Sequence, residues 1–243
     1  MQRIKITMSY DGSHFNGFQI QNEDTKTKTV AGVLTKALLR LGIESKVVGS
    51  GRTDKGVHAL SQVCHIDIPS FWENLSLLHR NLNRLITPHI LIKSIEKTSD
   101  AFHARFSAKK RLYRYILTTN SSPFYHAYTL HVKSVDTKTL DTTLQTFVGI
   151  HNFGFFKKNG SDNGSDIREI YKAGAYEYKG FIIIYFLGNG FLRSQVRLMV
   201  DFALKINQGK FRDTNLKEQL ELQKRYSSAK VSPNGLYLSK IYY

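Results

Sequence analysis

The segment from Gly51 to Ala59 places one carboxylate among basic and glycine residues. It contains Gly-Arg-Thr-Asp-Lys-Gly-Val-His-Ala, so Asp54 lies between Arg52 and Lys55, with a glycine on either side of the group. Neighbouring cations keep an aspartate ionised, and an ionised carboxylate in an accessible loop can act as a nucleophile or a base. Asp, Lys and Gly are also common turn residues. The residues alone leave a catalytic loop and a plain tight turn both open.

Arginine stands beside aromatic or apolar residues at two further places. In the run Tyr113-Arg114-Tyr115 the rings either pack in a core or stack on a nucleic-acid base, with the guanidinium meeting phosphate. Arg197 lies beside an apolar helical stripe, where a guanidinium is either solvated or, if buried, needs an anionic partner. The pattern does not separate these interpretations.

Nucleotide-cofactor and metal sites are both disfavoured. The stretch from Gly49 to Asp54 begins like a dinucleotide-binding loop, but its carboxylate would repel a pyrophosphate. Four side chains could instead bind a metal. Two of them, Asp54 and His58, would lie on one face only in a helix, and the glycines around Asp54 disfavour a helix there. These four candidates are Asp11, His14, Asp54 and His58.

The overall charge indicates a polyanionic partner. The 243 residues include 35 Lys and Arg against 19 Asp and Glu, a formal net charge of +16. Nucleic acid is the usual partner of such a surplus. With Cys64 as its single cysteine the chain has no internal disulfide, and its apolar runs are too short for a membrane helix. We therefore expect a soluble cytoplasmic protein that has no membrane partner.

Alternating helical and strand patterns predict the elements that position these residues. The pattern indicates an α/β (α+β) protein with a mixed sheet and hairpins. The predicted strands are 4–10, 46–50, 63–68, 90–95, 111–117, 171–178, 181–187 and 235–243, and the predicted helices are 30–41, 71–85, 140–147, 192–204 and 216–226.

A change in composition near residue 105 predicts a division into two domains. Residues 101–135 contain no Asp or Glu, although they carry six Lys or Arg. We expect an N-terminal domain over 1–105 that holds Asp54, and a C-terminal domain over 106–243 that holds Tyr113 and Arg197. An acid-free surface favours contact with phosphates, so the residues predicted there to contact nucleic acid are Arg105, Lys109, Lys110, Arg111 and Arg114.

Taken together and in order, the motifs resemble the tRNA pseudouridine synthase A family over essentially the whole chain. The segment 51–59 is similar to the catalytic signature of that family and is the most specific match. The other matching segments are 10–19, 102–115, 191–197 and 233–238.

The resemblance implies a pseudouridine synthase fold, with two α/β subdomains around a mixed, largely antiparallel sheet and an active-site cleft between them. It also implies a homodimer that converts uridine to pseudouridine in the anticodon stem-loop of tRNA, without a nucleotide cofactor or a metal.

The resemblance further assigns roles at the site. Asp54 maps onto the catalytic carboxylate, Arg197 onto the arginine that pairs with it, and Tyr113 onto the tyrosine that stacks on the target base. Arg52 would help to extrude the nucleotide and occupy the space that it leaves. Together with the five basic residues within 101–135, Arg52 is predicted to bind RNA. The residues alone also allow a non-catalytic RNA-binding protein, which would leave Asp54 without a role. They allow a metal-dependent nuclease as well, although a nuclease needs clustered acids and this chain has few.

Overall fold

The computed structural model describes residues 1–20, 28–158, 160 and 164–243. The chain forms two compact units: unit 1 comprises Met1–Lys109 and Leu238–Tyr243, and unit 2 comprises Lys110–Tyr237. A compact unit is not the same as a domain that folds on its own. The predicted domain boundary at residue 105 therefore stays a prediction. None of the helices in the described part of the chain combines the length and apolar composition that a membrane span requires.

Unit 1 is a sheet packed against two helices. Its strands are hydrogen-bonded in the order β4-β1-β3-β10, with β2 added to β3, and the pairs β1–β3, β1–β4 and β2–β3 are antiparallel. The elements are β1 (Gln2–Tyr10), α1 (Val30–Arg40), β2 (Val48–Gly49), β3 (His58–Ile68), α2 (Leu75–Ile86), β4 (Ile90–Lys97) and β10 (Leu236–Tyr242), most of which lies in this unit.

Unit 2 repeats the combination of sheet and helices. Its strands are ordered β5-β9-β8-β7 in antiparallel pairs, and β6 pairs with β5 in parallel. The elements are β5 (Lys110–Thr118), β6 (Leu130–His131), α3 (Thr137–Gln145), β7 (Gly149–Asn152), β8 (Ile167–Tyr178), β9 (Phe181–Gly188), α4 (Gln195–Asn207) and α5 (Asp213–Leu220). The predicted α/β class with mixed, mostly antiparallel pairing is confirmed.

Burial along the strands follows the alternation that the sequence predicts. Ile4, Ile6 and Met8 are fully buried on one face of β1, as the alternation of apolar and polar residues requires. On β5 the residues Tyr113 and Tyr115 share a buried face in the same way. The alternation therefore fixes which side chains of each strand are buried.

Several predicted elements have different limits in the structure, and strands β6 and β7 were not predicted. Strand β3 begins at His58 rather than at residue 63, which places the end of the segment 51–59 inside the sheet. Helix α2 begins after Asn74, whose side chain accepts the N–H of Leu77 and caps the helix, so Phe71 lies outside it. Helix α5 ends at Leu220 because the chain turns at Leu222, where φ is +59°.

Candidate active site

Asp54 lies in the loop between β2 and β3 of unit 1, and backbone hydrogen bonds hold that loop on both sides. The Thr53 carbonyl accepts the N–H of Phe18 at 3.2 Å, and the N–H of Gly56 donates to the Phe15 carbonyl at 3.3 Å. The Val57 N–H closes the turn onto the Asp54 carbonyl at 3.1 Å. Thr53 and Val57 are buried, whereas Asp54 is only partly covered. The loop therefore presents a carboxylate from a fixed backbone.

Glycines of the segment 10–19 let this segment approach the Asp54 loop closely. A Cβ on Gly12 would lie 2.1 Å from the carbonyl oxygen of Val57, so no larger residue fits there without movement. Gly17 has a φ of +98° and a Cβ there would meet the Thr53 carbonyl oxygen at 2.7 Å. The segments 10–19 and 51–59 therefore pack directly against each other through their backbones.

Buried polar side chains complete the support of the loop. The Nδ1 atom of His58 accepts the N–H of Gly12 at 3.0 Å and lies 3.3 Å from a carboxylate oxygen of Asp11. The hydroxyl groups of Tyr10 and Thr53 are 2.8 Å apart and hydrogen-bonded. His58 is 2% exposed. The sequence suggested no role for His58 beyond a rival metal site, and the structure makes it a link between the two motifs.

Gln62 is a second support that the sequence did not indicate. Its side chain is fully buried. Its Oε1 atom accepts the Ser50 hydroxyl at 2.6 Å, and its Nε2 atom donates to the Gly51 carbonyl at 3.0 Å. Because both partners precede Asp54, Gln62 fixes the entry into the loop. A lone glutamine in a strand carries no local pattern from which this contact can be inferred.

One group of candidate metal ligands occurs among the described residues. Asp11, His14 and His89 each offer a ligand atom, and these atoms lie within 4.8 Å of one another. The rings of His14 and His89 are stacked at 3.6 Å between centroids, and Asp11 accepts hydrogen bonds from the backbone N–H and hydroxyl of Ser13. Of the four metal-ligand candidates predicted from the sequence, Asp11 and His14 belong to this group, whereas Asp54 and His58 do not.

Tyr113 and Arg197 belong to unit 2. Tyr113 lies on β5, is 8% exposed, and meets the Phe191 ring edge to face at 5.1 Å. Arg197 lies in the first turn of α4, is 9% exposed, and donates from Nε to the Val231 carbonyl at 2.8 Å. The solvated interpretation of Arg197 is therefore wrong, because the side chain is buried. Its pairing with Asp54 stays a prediction.

Buried side chains around Arg197 are hydrogen-bonded to the backbone. Gln195 is fully buried and its Oε1 atom accepts the Leu192 N–H at 2.7 Å, which fixes the segment before the helix. Tyr115, on the buried face of β5, donates its hydroxyl to the Ser232 carbonyl at 2.7 Å, and burial raises the pKa of that hydroxyl. The phenol of Tyr115 therefore stays neutral and acts as a structural donor.

The predicted RNA-binding residues differ in exposure. The exposed side chains are Arg52, Arg105, Lys109 and Lys110, whereas Arg111 and Arg114 are partly covered. Some of them have further contacts. The Lys110 ammonium lies 4.9 Å from the centre of the Tyr171 ring, and the Arg105 guanidinium lies 5.7 Å from the centre of the Phe106 ring. The Arg111 guanidinium donates to the Asn189 carbonyl at 2.8 Å. Their contact with RNA stays a prediction.

Comparison with known proteins gives one consistent result. A family model described as tRNA pseudouridine synthase matches residues 6–107 and 143–243. The chain is similar to "tRNA pseudouridine synthase A" of Helicobacter hepaticus, with 43% identity over the full length of both chains. The protein of that name from Campylobacter jejuni is 44% identical, again over the full length of both. That of Limosilactobacillus fermentum is 38% identical over 100% of this chain and 96% of its own.

Proposed function

The chain belongs to the tRNA pseudouridine synthase family and acts as an isomerase on tRNA, and we propose that Asp54 is the carboxylate that carries the reaction. The family predicted from the sequence is confirmed. The observation that supports the role of Asp54 is the loop itself: buried Thr53 and Val57 flank a partly covered acid, and backbone bonds hold all of them. A group that must meet one atom of a substrate needs such a fixed position.

The isomerisation makes one bond and breaks another without oxidation or hydrolysis. The C1′–N1 bond between ribose and uracil breaks, the uracil turns, and a C1′–C5 bond forms. The proton on C5 leaves and N1 gains one, so the product has the mass of the substrate. The carboxylate of Asp54 can attack C1′, attack C6 or remove the C2′ proton, and the chemistry of the product is compatible with each route.

Water must be excluded while the uracil is detached, because it would trap the activated sugar. We propose that Tyr113 stacks on the target base, since a ring held edge to face by Phe191 offers a fixed flat surface. We propose that Arg197 pairs with the Asp54 carboxylate during the reaction. Arg52, exposed two residues before Asp54, would fill the space left by the extruded nucleotide.

The finer substrate and assembly assignments are also proposals. We propose that the target uridines lie in the anticodon stem-loop and that the chain acts as a homodimer, as the family resemblance implies. Sedimentation of the purified protein measures the second of these. A monomer at the concentration of the activity assay would remove the dimer from the proposal without affecting the role of Asp54.

One incubation separates the enzyme from the alternatives. Unmodified tRNA anticodon arm is incubated with the protein and analysed for a uridine isomer of unchanged mass that reacts with carbodiimide. We expect the isomer to form at one or more uridines of the arm with the strand intact. Unchanged RNA would support a non-catalytic RNA-binding protein, and strand cleavage would support a nuclease.

A further inference from the structure

Unit 1 presents an exposed aromatic ring on the turn that follows β4. The turn comprises residues 102–107, which we call the 102–107 turn, and its Phe106 is 77% exposed. Single apolar residues are often exposed on protein surfaces, so exposure alone assigns no role. Phe106 is distinguished by the contacts that hold its backbone and its ring in place.

Hydrogen bonds close the backbone of the 102–107 turn. The N–H of Ser107 donates to the His103 carbonyl at 2.8 Å, and the N–H of His103 donates to the Ser107 hydroxyl oxygen at 3.0 Å. The Nδ1 atom of His103 accepts the N–H groups of Arg105 and Phe106, each at 3.2 Å. Phe106 therefore extends from a backbone that is fixed on both sides.

The 102–107 turn is attached to the sheet of unit 1 through Ala104. The N–H of Ala104 donates to Nδ1 of His65 on β3 at 3.1 Å, and its carbonyl accepts the Tyr243 hydroxyl at 2.9 Å. Ala104 is fully buried and His65 is 5% exposed. These buried contacts from two directions hold the turn in place on the sheet.

A second ring supports Phe106 from behind. The rings of Phe106 and His103 are stacked, with 4.4 Å between centroids and 29° between planes, and His103 meets His65 edge to face at 4.9 Å. One face of the Phe106 ring thus packs on the protein, and its exposure leaves the opposite face accessible to a flat ligand. Phe71 is similarly exposed, but its ring meets Trp72 tilted by 42° at 6.1 Å and is not stacked.

Cations beside the ring suit a nucleotide as the ligand. The Arg105 guanidinium lies 5.7 Å from the centre of the Phe106 ring, and Lys109 is exposed three residues further along the chain. A base that stacks on an aromatic ring carries a phosphate, which such cations attract. The family of this chain acts on tRNA, so the matching ligand is a tRNA nucleotide.

Two acids also lie near the 102–107 turn, and both are connected to Arg3. Asp67 accepts two hydrogen bonds from the Arg3 guanidinium, at 2.8 and 3.0 Å, and the backbone carbonyl of Asp100 accepts a third. Stacking uses the face of a ring and is not a charge interaction. The role of Phe106 therefore does not depend on how these charges balance.

The 102–107 turn lies at a distance from the Asp54 loop. His58 stands at the end of the segment 51–59, and His65, which holds the turn, is seven residues further along β3. At about 3.3 Å per residue, the two histidines are roughly 20 Å apart. A nucleotide on Phe106 is therefore a different one from the target uridine.

We propose that Phe106 is a stacking platform for an unpaired base of tRNA at a nucleotide other than the target uridine. The proposal rests on the proposed function, since the base must belong to the RNA that the enzyme modifies. The base lies on the accessible face of Phe106, opposite His103. Aromatic side chains bind bases of any sequence in this way, because every base has a π-face.

Ring-removing and ring-keeping variants test the platform. Their affinity for an unmodified full-length tRNA transcript is measured over a series of salt concentrations. Loss of one stacked base should weaken binding by Phe106→Ala roughly tenfold, with an unchanged slope of log affinity against log salt, because stacking releases no counterion. Phe106→Trp should bind within twofold of the wild type. Its new indole should lose fluorescence when tRNA binds, whereas Trp72, the single tryptophan of the wild type, should not.

Phe71→Ala is the matched control, since it removes another exposed ring from unit 1. We expect its affinity to equal that of the wild type. Phe106→Ala that unfolds at the wild-type temperature and binds within twofold of the wild type would overturn the proposal. So would an equal loss in Phe71→Ala, or unchanged indole fluorescence in Phe106→Trp.

Two further outcomes separate this proposal from its neighbours. If Phe106→Ala changed the sedimentation of the protein but not its RNA affinity, the ring would belong to a contact between copies of the chain, and the platform would be overturned. A wild type that does not bind tRNA would overturn the proposed function as well. Because the readout is affinity and not pseudouridine formation, failure at Phe106 leaves the test of Asp54 untouched.

Discussion

The Asp54 loop and the predicted RNA-binding residues are placed in different ways. The loop is held by backbone hydrogen bonds and by glycine backbones that lie against it, so its position depends on main-chain contacts. The exposed members of the predicted RNA-binding set, such as Arg105 and Lys109, are long side chains whose charges can adjust their positions. From this difference we expect bond-making to depend on backbone placement and RNA affinity to depend on the number of exposed cations.

This comparison predicts two kinds of response to substitution. A change that moves the loop backbone should remove most of the activity, and the size of this loss should not depend on salt concentration. A change that removes a cation should weaken tRNA binding by a fraction that depends on salt. The following predictions are ordered from the largest expected effect to the smallest.

The largest effect is expected from Gly12→Ala. The new Cβ would lie 2.1 Å from the Val57 carbonyl oxygen, so the loop or the segment 10–19 must move. We expect a loss of about 3 kcal/mol in the free energy of unfolding and a loss of most pseudouridine formation. Thermal unfolding and single-turnover assays measure the two effects.

Gly209→Ala provides the control for this substitution. Gly209 has a φ of +70°, but no atom lies within 4 Å of its added Cβ, so only the backbone strain of about 1 kcal/mol is expected. If Gly12→Ala were no worse than Gly209→Ala, the close contact between the segment 10–19 and the loop would not support the site.

Tyr113 should show an intermediate effect that depends on the replacement. Tyr113→Ala removes the stacking ring, which is worth about 1–3 kcal/mol per base, so we expect a decrease in turnover of roughly tenfold to a hundredfold. Tyr113→Phe keeps the ring and removes the hydroxyl. Retained activity in the phenylalanine variant supports stacking alone, whereas an equal loss in both variants assigns the hydroxyl to acid or base chemistry.

A smaller effect is expected from mild acid on unit 1. Burial lowers the pKa of His65, aided by Arg3 and His103, and its Nδ1 atom accepts the Ala104 N–H. The folded state therefore favours the neutral ring. Stability is complete above the unfolded pKa of about 6.5 and declines as pH falls from there toward the lower folded pKa. The melting temperature as a function of pH measures the decline.

His65→Asn keeps an acceptor near Ala104 and removes the titrating ring, so the decline in stability below pH 6.5 should become shallower. Lys230→Gln should follow the wild-type curve, because Lys230 belongs to unit 2. An unchanged curve in the asparagine variant would contradict the assignment to His65.

The smallest effect is expected from removal of metal ions. The reaction needs no redox or hydrolytic step, so pseudouridine formation should stay within twofold of its original rate after dialysis against EDTA. Two observations together would contradict this: a loss of activity that added Zn²⁺ restores in the wild type, and no such restoration in His89→Ala. They would assign a metal to Asp11, His14 and His89 instead.

Local patterns predicted the elements whose interactions are close in sequence. The hairpin β8–β9 and its Lys179-Gly180 turn follow from two alternating runs and two turn residues, and the structure gives both turn residues a positive φ. The buried face of β5 follows from alternation in the same way. Such features depend on residues that are close in sequence, so they can be predicted from a single sequence.

The supports of the site depend on pairs that are distant in sequence. His58 bonds to Gly12 across 46 positions, and Gln62 reaches Tyr10 across 52. A pocket of about 280 Å³ in unit 2 is likewise lined from three separate stretches of the chain, at 157–158, 198 and 225–230. The sequence directed attention to residues 101–135, where basic residues are adjacent, and could not show that dispersed cations converge elsewhere.

The central claim is that the Asp54 carboxylate carries the isomerisation and does not merely shape the loop. Single-turnover pseudouridine formation in tRNA anticodon arm, measured together with RNA affinity, tests it in Asp54→Asn, with Glu73→Gln as the control for loss of an exposed acid in unit 1. We predict that Asp54→Asn loses at least about a thousandfold in rate while binding RNA within threefold of the wild type, and that Glu73→Gln keeps both. A rate for Asp54→Asn near that of the wild type would contradict the account.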